Sequence, residues 1–145
     1  MIIKEGESDM RKTHVDVTVA FRDLDGMRST YHPVYIEWFD LARTKLLKEA
    51  GIQFHKWETG GIVFPVVALH CEYKEGTSFE DELRVTAMVR EVRGKVLTVD
   101  YEIRNLQTDR ITTTGYTTIV FCDENGKSFK LEEKYPELYE SLIAD

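Results

Sequence analysis

The stretch PVYIEWFDLARTKLLKEAG, residues 33–51, decides the fold because its apolar side chains recur with the period of a helix. At spacings of three and four they form one stripe along the predicted helix: Tyr35, Trp38, Phe39, Ala42 and Leu46. Pro33 suits the first helical turn because it has no N–H to leave unpaired. Gly51 suits the C-terminal cap. The sequence therefore predicts one long, strongly amphipathic helix that begins at Pro33 and stops at Gly51.

Alternating apolar and polar residues predict strands on both sides of this helix. Before it, a half-buried strand is predicted from His14, and one side of it is formed by Val15, Val17, Val19 and Phe21. After it, four strands are predicted: Val63–Lys74, Glu82–Arg93, Lys95–Asn105 and Ile111–Cys122. The apolar face of such a helix must be buried against other elements, and one sheet wrapped around the helix is the simplest arrangement that buries it. The predicted fold class is α+β, an antiparallel five-stranded sheet around one long central helix.

Length and composition indicate one folded domain. The chain has 145 residues, 42% hydrophobic and 31% charged, which is typical of a soluble globular protein. Residues 1–11 are polar and patternless and are expected to form a flexible tail, with a single domain over residues 12–145. Within it, a short helix is predicted at Pro136–Ile143, and the link Phe54–Thr59 has a weaker helical pattern.

Charge and cysteine usage limit the classes of partner and the compartment. The net charge of -7 disfavours a broad nucleic-acid surface. No apolar run approaches the roughly 20 residues that span a bilayer, and no signal-peptide core is visible, so a cytoplasmic location is expected. Cys71 and Cys122 stand outside any C-x-x-C pattern and are expected to be reduced thiols.

The polar segment before the helix carries the candidate chemistry. Asp25 is followed by Gly26 and lies seven positions before His32, where the helix begins. Asp followed by Gly is common turn chemistry, and from the residues alone this is the more ordinary explanation of Asp25. A helix N-terminus, however, offers unpaired N–H groups to an anion, so a carboxylate near it suits attack on a carbonyl. No metal is expected: four histidines form no H-x-x-x-H, and Asp23 with Asp25 lacks the other ligands of a calcium loop.

The segment from Phe21 to Arg43 resembles the signature of the 4-hydroxybenzoyl-CoA thioesterase family of hotdog proteins. It also resembles the short-chain acyl-CoA thioesterases found with the Tol–Pal system. The shared pattern is D-x-D, a short turn, an aromatic–His pair and a helix with an aromatic residue and Ala-Arg. Similar segments follow downstream: Phe64–Val67, Phe79–Leu83, Glu91–Gly94 and Thr114–Thr117. The resemblance covers about Thr13 to Glu132 and implies a hotdog fold and hydrolysis of a short-chain or aromatic acyl-CoA to free acid and CoA.

The resemblance also implies catalytic roles. Asp25 is the position of the essential acid, as nucleophile or as general base, and Asp23 is expected to be structural. The side chain of His32 either caps the helix or packs at the surface, or else it touches the thioester and orients Asp25. Its backbone N–H is the first choice of oxyanion donor, with the N–H of Val34 behind it. Two positions depart from the family: Arg28 replaces a small residue in the turn, and Val34 replaces Asn or Ser.

Six residues are assigned to the substrate. Tyr31 is expected to belong to the core or, at most, to the pocket wall, and Arg28 to crowd the pocket or supply it with positive charge. Asp40 corresponds to an acidic residue that faces the acyl pocket, although an ordinary solvated helix face also explains it. The remaining three form a basic hairpin that resembles the family's contact with the CoA phosphates, or else a solvated turn: Arg90, Arg93 and Lys95.

Two function classes are the main alternatives at this point; a hotdog dehydratase or hydratase is a third and weaker one, because the Asp–His hydratase segment of those families is not visible here. The first is an acyl-CoA thioesterase that needs no cofactor, since CoA is part of the substrate. The second is a hotdog module that binds acyl-CoA without cleaving it, as a sensor or carrier. In both cases a homodimer or homotetramer is expected, because the five-stranded sheet leaves open edges that proteins usually cover.

Overall fold

The computed structural model describes residues 10–54 and 61–144 and contains one five-stranded antiparallel sheet. The elements, in chain order, are β1 (Lys12–Thr18), a short 3-10 helix (Phe21–Asp23), α1 (His32–Ala50), β2 (Val66–Tyr73), β3 (Glu82–Arg93), β4 (Val96–Asn105), β5 (Arg110–Val120), α2 (Leu131–Lys134) and α3 (Pro136–Ile143). The strand order is β1-β3-β4-β5-β2. This is the predicted α+β architecture, with α1 packed on one face of the sheet.

The core lies between α1 and the sheet. All five residues of the apolar helix stripe are buried, and Phe39 stacks on Tyr101 of β4 with ring centroids 4.4 Å apart. Gly115 of β5 allows this approach, because a Cβ there would lie 2.8 Å from the Phe39 ring and 2.3 Å from the carbonyl oxygen of His70. Gly51 ends α1 as predicted, with a left-handed φ of 120°.

The two flanks of α1 face different strands. On one flank, Lys45 Nζ donates to the carbonyl oxygen of His14 in β1 at 2.7 Å. On the other flank, the guanidinium of Arg43 reaches Tyr101 and Thr117 at 3.4 and 3.5 Å. Because Thr117 pairs with Leu69 of β2, this second flank faces the edge strand of the sheet.

The edge strand β2 pairs only with β5 among the described strands. Its apolar side chains are half exposed on both faces of the sheet: Val66, Val67, Leu69 and Tyr73. On the α1 side, Tyr73 borders a cleft beside the start of the helix.

Several predicted boundaries are corrected by the structure. Phe21 is 77% exposed rather than buried in a strand, because β1 ends at Thr18 and the chain turns into the 3-10 helix. The strand predicted from Val63 begins at Val66, while Val63 keeps only an isolated bridge to Cys122. The predicted α3 is confirmed at Pro136–Ile143.

The predicted tail is also shorter than expected. Arg11 Nε donates to the carbonyl oxygen of Ser141 at 2.8 Å, and the carbonyl of Arg11 accepts from the N–H of Val89. Met10 packs on the core. Residues 1–9 and most of the predicted 54–59 link lie outside the described residues. None of the helices in the described ranges is long and apolar enough to cross a membrane.

Candidate active site

Residues 24–30 form a tight turn that begins with Asp25. Leu24 and Thr30 bridge its base, and the N–H of Asp25 donates to the carbonyl oxygen of Ser29 at 2.8 Å. Oδ1 of Asp25 accepts the N–H groups of Met27 at 2.7 Å and Ser29 at 3.3 Å. Among the described residues, Oδ2 has no hydrogen-bond partner. The turn therefore fixes one carboxylate oxygen and leaves the other available to a substrate.

Asp23 has the structural role that was predicted for it. Its Oδ2 accepts the N–H of Ala20 at 2.8 Å and so closes the 3-10 helix before the turn. Its carbonyl oxygen accepts the N–H of Tyr31 at 2.7 Å, which ties the two ends of the segment together. The side chain of Asp23 thus supports the 3-10 helix, and that of Asp25 accepts N–H groups within the turn.

A buried hydroxyl network anchors this turn to α1. The hydroxyl of Thr77, in the β2–β3 connection, lies 2.6 Å from that of Thr30 and 3.0 Å from that of Tyr35. The carbonyl of Thr77 also accepts the N–H of Thr30 at 2.9 Å. Because Thr77 and Thr30 are buried, these bonds are shielded from water and hold the turn against the first turns of the helix.

The first turn of α1 leaves one backbone donor without an acceptor. Pro33 has no N–H, and the N–H of Val34 donates to the carbonyl oxygen of Tyr31 at 2.9 Å. The N–H of His32 has no acceptor in residues 10–54 and 61–144. The N–H of His32 is therefore the donor available to a ligand. The N–H of Val34, the second predicted oxyanion donor, is already bonded to Tyr31.

The side chain of His32 contacts aromatic rings at the start of α1, and its predicted role toward the thioester stays a prediction. Its imidazole makes no hydrogen bond to Asp25 in the described part of the chain. Instead, its ring packs edge-on against Tyr31 and Tyr73, at 5.2 and 6.2 Å between centroids. Tyr31 itself is half exposed at the N-cap of α1, so it forms the rim of the site and not the core.

A cleft of about 250 Å³ opens beside this helix start, between Ser29, the first turn of α1 and residues 73–76. The hydroxyl of Tyr73 donates to the carbonyl oxygen of His32 at 3.2 Å. Burial, with a smaller contribution from the hydrogen bond to Cys71, raises the pKa of Tyr73 to about 12, so its phenol stays protonated as a donor. Burial also raises the pKa of the Cys71 thiol, which makes it a poor nucleophile at neutral pH.

Asp40 and Arg43 form an ion pair deeper along the same flank of α1. Arg43 Nη2 lies 2.9 Å from Asp40 Oδ1, with the Asp40 side chain half exposed and that of Arg43 buried. Asp40 follows His32 by eight positions, which places it about 12 Å along the helix. Arg43 is therefore the charged partner of Asp40, and a role of Asp40 toward an acyl group stays a prediction.

A comparison with protein families shows to which family the chain belongs. The model of the thioesterase-like superfamily matches residues 19–142, which include the turn, α1 and all strands after β1. The chain belongs to the thioesterase-like superfamily. This membership confirms the predicted family resemblance and the predicted reaction class, thioester hydrolysis.

Individual relatives of this thioesterase-like protein agree with the assignment. It is 23% identical over 128 residues to a Bacillus subtilis protein named "Putative acyl-CoA thioesterase YneP", covering 88% of this chain and 93% of that one. A DHNA-CoA thioesterase from Staphylococcus aureus superposes with a TM-score of 0.81 at 24% identity, covering 90% of this chain and 87% of that one. A 4-hydroxybenzoyl CoA thioesterase complexed with 4-hydroxybenzoyl CoA superposes with a TM-score of 0.79 at 19% identity, covering 89% of this chain and 99% of that one. The hotdog fold is thereby confirmed.

The predicted basic hairpin of this thioesterase-like protein lies far from the Asp25 turn. β3 has twelve residues, roughly 36 Å of strand, and the hairpin follows its end, whereas the connection that anchors the turn precedes its start. Arg90 Nε binds Asp100 at 2.9 Å and its guanidinium covers the Tyr116 ring at 4.7 Å. Arg90 is therefore neutralised on the sheet, and Arg93 and Lys95 remain exposed at the turn.

Sequence reasoning missed the residues that position the site. Thr77 and Tyr73 belong to the segment between the helix and β3, which carries no recognisable motif. Their partners, Thr30 and His32, are more than forty positions away in the chain. A pattern of local periodicity contains no signal for such a contact, because it depends on how the β2–β3 connection folds back onto the helix start.

Proposed function

We propose that this protein hydrolyses the thioester of an acyl-CoA that carries a short-chain or aromatic acyl group, releasing the free acid and CoA. The observation that carries the proposal is the pairing of two features in one segment. Asp25 presents a carboxylate oxygen without a partner among the described residues, and the N–H of His32 at the helix start likewise has no acceptor there.

Asp25 supplies the base or the nucleophile. Because Met27 and Ser29 hold Oδ1, the remaining oxygen has a fixed direction. It either takes a proton from the attacking water or itself adds to the carbonyl carbon to form an anhydride that water then opens. In both routes a C–O bond forms, the C–S bond breaks, and the CoA thiolate leaves and takes up a proton.

The helix start stabilises the charge that develops on the carbonyl oxygen. The N–H of His32 is the free donor, and the partial positive charge of the α1 N-terminus acts in the same direction. Removing a single donor of this kind typically costs about 10²–10³ in kcat, so this contribution is comparable to that of the base.

The acyl group is accommodated between α1 and β2. Tyr35 and Tyr73, with ring centroids 5.3 Å apart, form an aromatic wall beside the helix start. The Asp40–Arg43 pair lies about 12 Å further along α1, which suits an acyl group of limited length with a polar end. These features support short-chain or aromatic acyl groups over long, wholly apolar chains.

The proposed reaction needs no cofactor, since CoA is part of the substrate. Within the described residues, no group of three or more His, Cys, Asp or Glu side chains could hold a metal ion. We place the protein in the cytoplasm, where Cys71 and Cys122 stay reduced and acyl-CoA is available.

A homodimer, or a dimer of dimers, is part of the proposal. β2 has an unpaired edge among the described strands and half-exposed apolar side chains at Val66, Val67 and Leu69. Pairing of β2 with the β2 of a second copy would cover both. Sedimentation equilibrium at micromolar concentration should show a dimer or larger species, and Val67→Lys should shift it toward monomer. A wild-type protein that sediments only as monomer contradicts this part of the proposal.

Thiol release from a panel of acyl-CoAs tests the function directly. The panel contains acetyl, butyryl, decanoyl, benzoyl and hydroxybenzoyl groups, and free CoA is detected with a chromogenic disulfide. We expect the short-chain or the aromatic acyl-CoAs to be hydrolysed, and the highest kcat/KM of the panel to belong to one of them and not to decanoyl-CoA. Tight binding of these acyl-CoAs without thiol release would identify a binding module instead of an enzyme.

A further inference from the structure

Three buried hydroxyl groups meet behind the Asp25 turn. Thr30 lies five positions after Asp25 and two before His32, so its backbone joins the two halves of the site. Its exposed fraction is 5%, and those of Tyr35 and Thr77 are 3% and 2%. An apolar side chain at each position would fill the same space without the cost of removing a hydroxyl from water. Packing alone therefore does not account for three hydroxyl groups at this place.

The hydrogen bonds among these groups use every hydroxyl proton once. Thr30 Oγ1 donates to the carbonyl oxygen of Thr77 at 3.2 Å. With that proton used, Thr77 Oγ1 donates to Thr30 Oγ1, 2.6 Å away, and the phenol of Tyr35 donates to Thr77 Oγ1 at 3.0 Å. The N–H of Thr30 also donates to the carbonyl oxygen of Thr77. A buried network in which every member is bonded is rigid, so Thr77 fixes the position of Thr30.

The segment that carries Thr77 is itself anchored to the sheet. The N–H of Lys74 donates to the carbonyl oxygen of Thr112 in β5 at 2.8 Å. One residue earlier, the hydroxyl of Tyr73 donates to the carbonyl oxygen of His32. The β2–β3 connection therefore binds both halves of the site from one support, the turn through Thr77 and the helix start through Tyr73.

The proposed reaction depends on where the turn lies relative to the helix start. The Asp25 carboxylate and the N–H of His32 act on one carbonyl group, and a displacement of about 1 Å between such groups costs on the order of 10²-fold in rate. The hydrogen bonds of Asp25 to Met27 and Ser29 fix the shape of the turn. They do not fix its place against α1, which depends on contacts from outside the turn.

We propose that Thr77 is a positioning residue for thioester hydrolysis. Through Thr30, it holds the Asp25 carboxylate and the N–H of His32 in the positions that one substrate carbonyl requires. The inference rests on the proposed function and adds to it a residue that touches neither the substrate nor the reacting atoms. The loss of Thr77 is expected to lower kcat and not to raise KM, because the contacts that bind the ground state remain.

Two substitutions of Thr77 test the role of its hydroxyl. Thr77→Val keeps the shape of the side chain and removes the hydroxyl, whereas Thr77→Ser keeps the hydroxyl. We expect kcat for thiol release to fall roughly tenfold or more in Thr77→Val, with KM changed by less than about twofold. Thr77→Ser should retain most of the wild-type kcat. An unchanged kcat in Thr77→Val, or an equal loss in Thr77→Ser, overturns the inference.

A double variant separates positioning from stability. Thr77→Val leaves the buried Thr30 hydroxyl without its 2.6 Å partner, and Thr30→Val/Thr77→Val replaces both partners by apolar groups. The double variant should therefore regain part of the free energy of unfolding, measured in urea, that Thr77→Val loses. Its kcat should stay low, because the turn is no longer held, and this comparison with wild type also applies if Thr77→Val alone does not fold. A kcat that recovers together with stability would show that the network acts only on folding, which overturns the inference.

The matched control is Thr98→Val in β4. Thr98 is 6% exposed, and its hydroxyl lies 3.5 Å from that of Thr118. Because it stands between the core residues Leu97 and Val99, its side chain lies on the sheet face opposite α1. We expect Thr98→Val to leave kcat and KM unchanged. A loss of kcat equal to that of Thr77→Val would indicate a general effect of removing a buried hydroxyl and would reject the assignment.

Hydrogen exchange of the turn separates this inference from the proposed function. The N–H groups of residues 27–31 are all hydrogen-bonded. Their deuterium uptake, measured by mass spectrometry, should be roughly fivefold or more faster in Thr77→Val and unchanged in Thr98→Val. If exchange differs in this way but the wild type releases no thiol from any acyl-CoA, the hold of Thr77 on the turn stands and the thioesterase proposal fails. If thiol is released and kcat does not respond to Thr77→Val, the positioning role is wrong and the enzyme remains.

Discussion

Two turns of the molecule, residues 24–30 and residues 122–128, share the same hydrogen bonds. In each, the N–H of the aspartate donates at 2.8 Å to the carbonyl four positions later, Asp25 to Ser29 and Asp123 to Lys127. In each, Oδ1 accepts the N–H groups two and four positions later, at 2.7 and 3.3 Å for Asp25 and at 2.9 Å twice for Asp123. Both aspartates are therefore turn formers, and that chemistry alone does not distinguish a catalytic residue.

The difference lies in what surrounds the two turns. The position with left-handed φ is Gly126 in one turn, at 80°, and Arg28 in the other, at 68°. The Asp25 turn is also bound through Thr30 and Thr77 to the start of α1, whereas the Asp123 turn follows β5, where Cys122 bridges to Val63 and Ser128. The comparison teaches that a common turn becomes a candidate site through its position at a helix N-terminus and through the side chain it carries under strain.

The largest effect on kcat is expected from substituting Asp25, and the same substitution at Asp123 should have almost none. In Asp25→Asn the amide oxygen keeps accepting the N–H of Met27, so the turn persists, but basicity and nucleophilicity are lost. We expect kcat for thiol release to fall about 10²–10⁴-fold with little change in KM. Asp123→Asn, which makes the same change in the matched turn, should leave kcat within twofold.

Unfolding in urea provides the control for this pair. Since both substitutions keep the acceptor oxygen, the two variants should lose similar and small amounts of unfolding free energy. Near wild-type turnover in a folded Asp25→Asn variant would show that the carboxylate is only a turn former, as Asp123 is. An equal loss of kcat in Asp123→Asn would indicate a general effect of folding.

A smaller effect is expected from exchanging the residues at positive φ. Arg28→Gly should raise the free energy of unfolding by up to about 1 kcal/mol, because glycine relieves the left-handed strain, and Gly126→Arg should lower it by about 1–2 kcal/mol. Equilibrium urea denaturation measures both. Destabilisation of the protein by Arg28→Gly would show that the arginine side chain stabilises the turn and is not held there at a cost.

The helix and the sheet could be predicted because their signals are local. The stripe from Tyr35 to Leu46 and the alternation in the strands are properties of neighbouring residues, and both are confirmed. Phe21 was predicted to continue β1 because it extends the alternating pattern. Instead the carboxylate of Asp23 accepts the N–H of Ala20, and the chain turns there into the 3-10 helix. The choice of Asp25 as the catalytic candidate came from the family resemblance. The turn itself could not have indicated it, because Asp123 makes the same hydrogen bonds in its own turn.

Two further relations concern position across the fold. Arg93 and Lys95 resemble a phosphate-binding hairpin in sequence, and in one protomer the length of β3 separates them from the turn, so their contact with CoA stays a prediction. Thr77 was overlooked for the opposite reason, since it is remote in sequence and adjacent in space. A local sequence pattern shows neither the separation of the hairpin from the turn nor the contact of Thr77 with it. Both depend on how the strands are arranged in the folded sheet.

The position of β2 in the sheet also determines when it can be protected during synthesis. β2 ends at Tyr73, but its neighbour in the sheet, β5, begins only at Arg110. At 5–20 residues per second, a ribosome needs roughly 2–7 s to translate the residues between them. For that interval a segment rich in valine and leucine has emerged without the strand that will cover it, so the nascent chain is most prone to misassociate while β3 and β4 are being made.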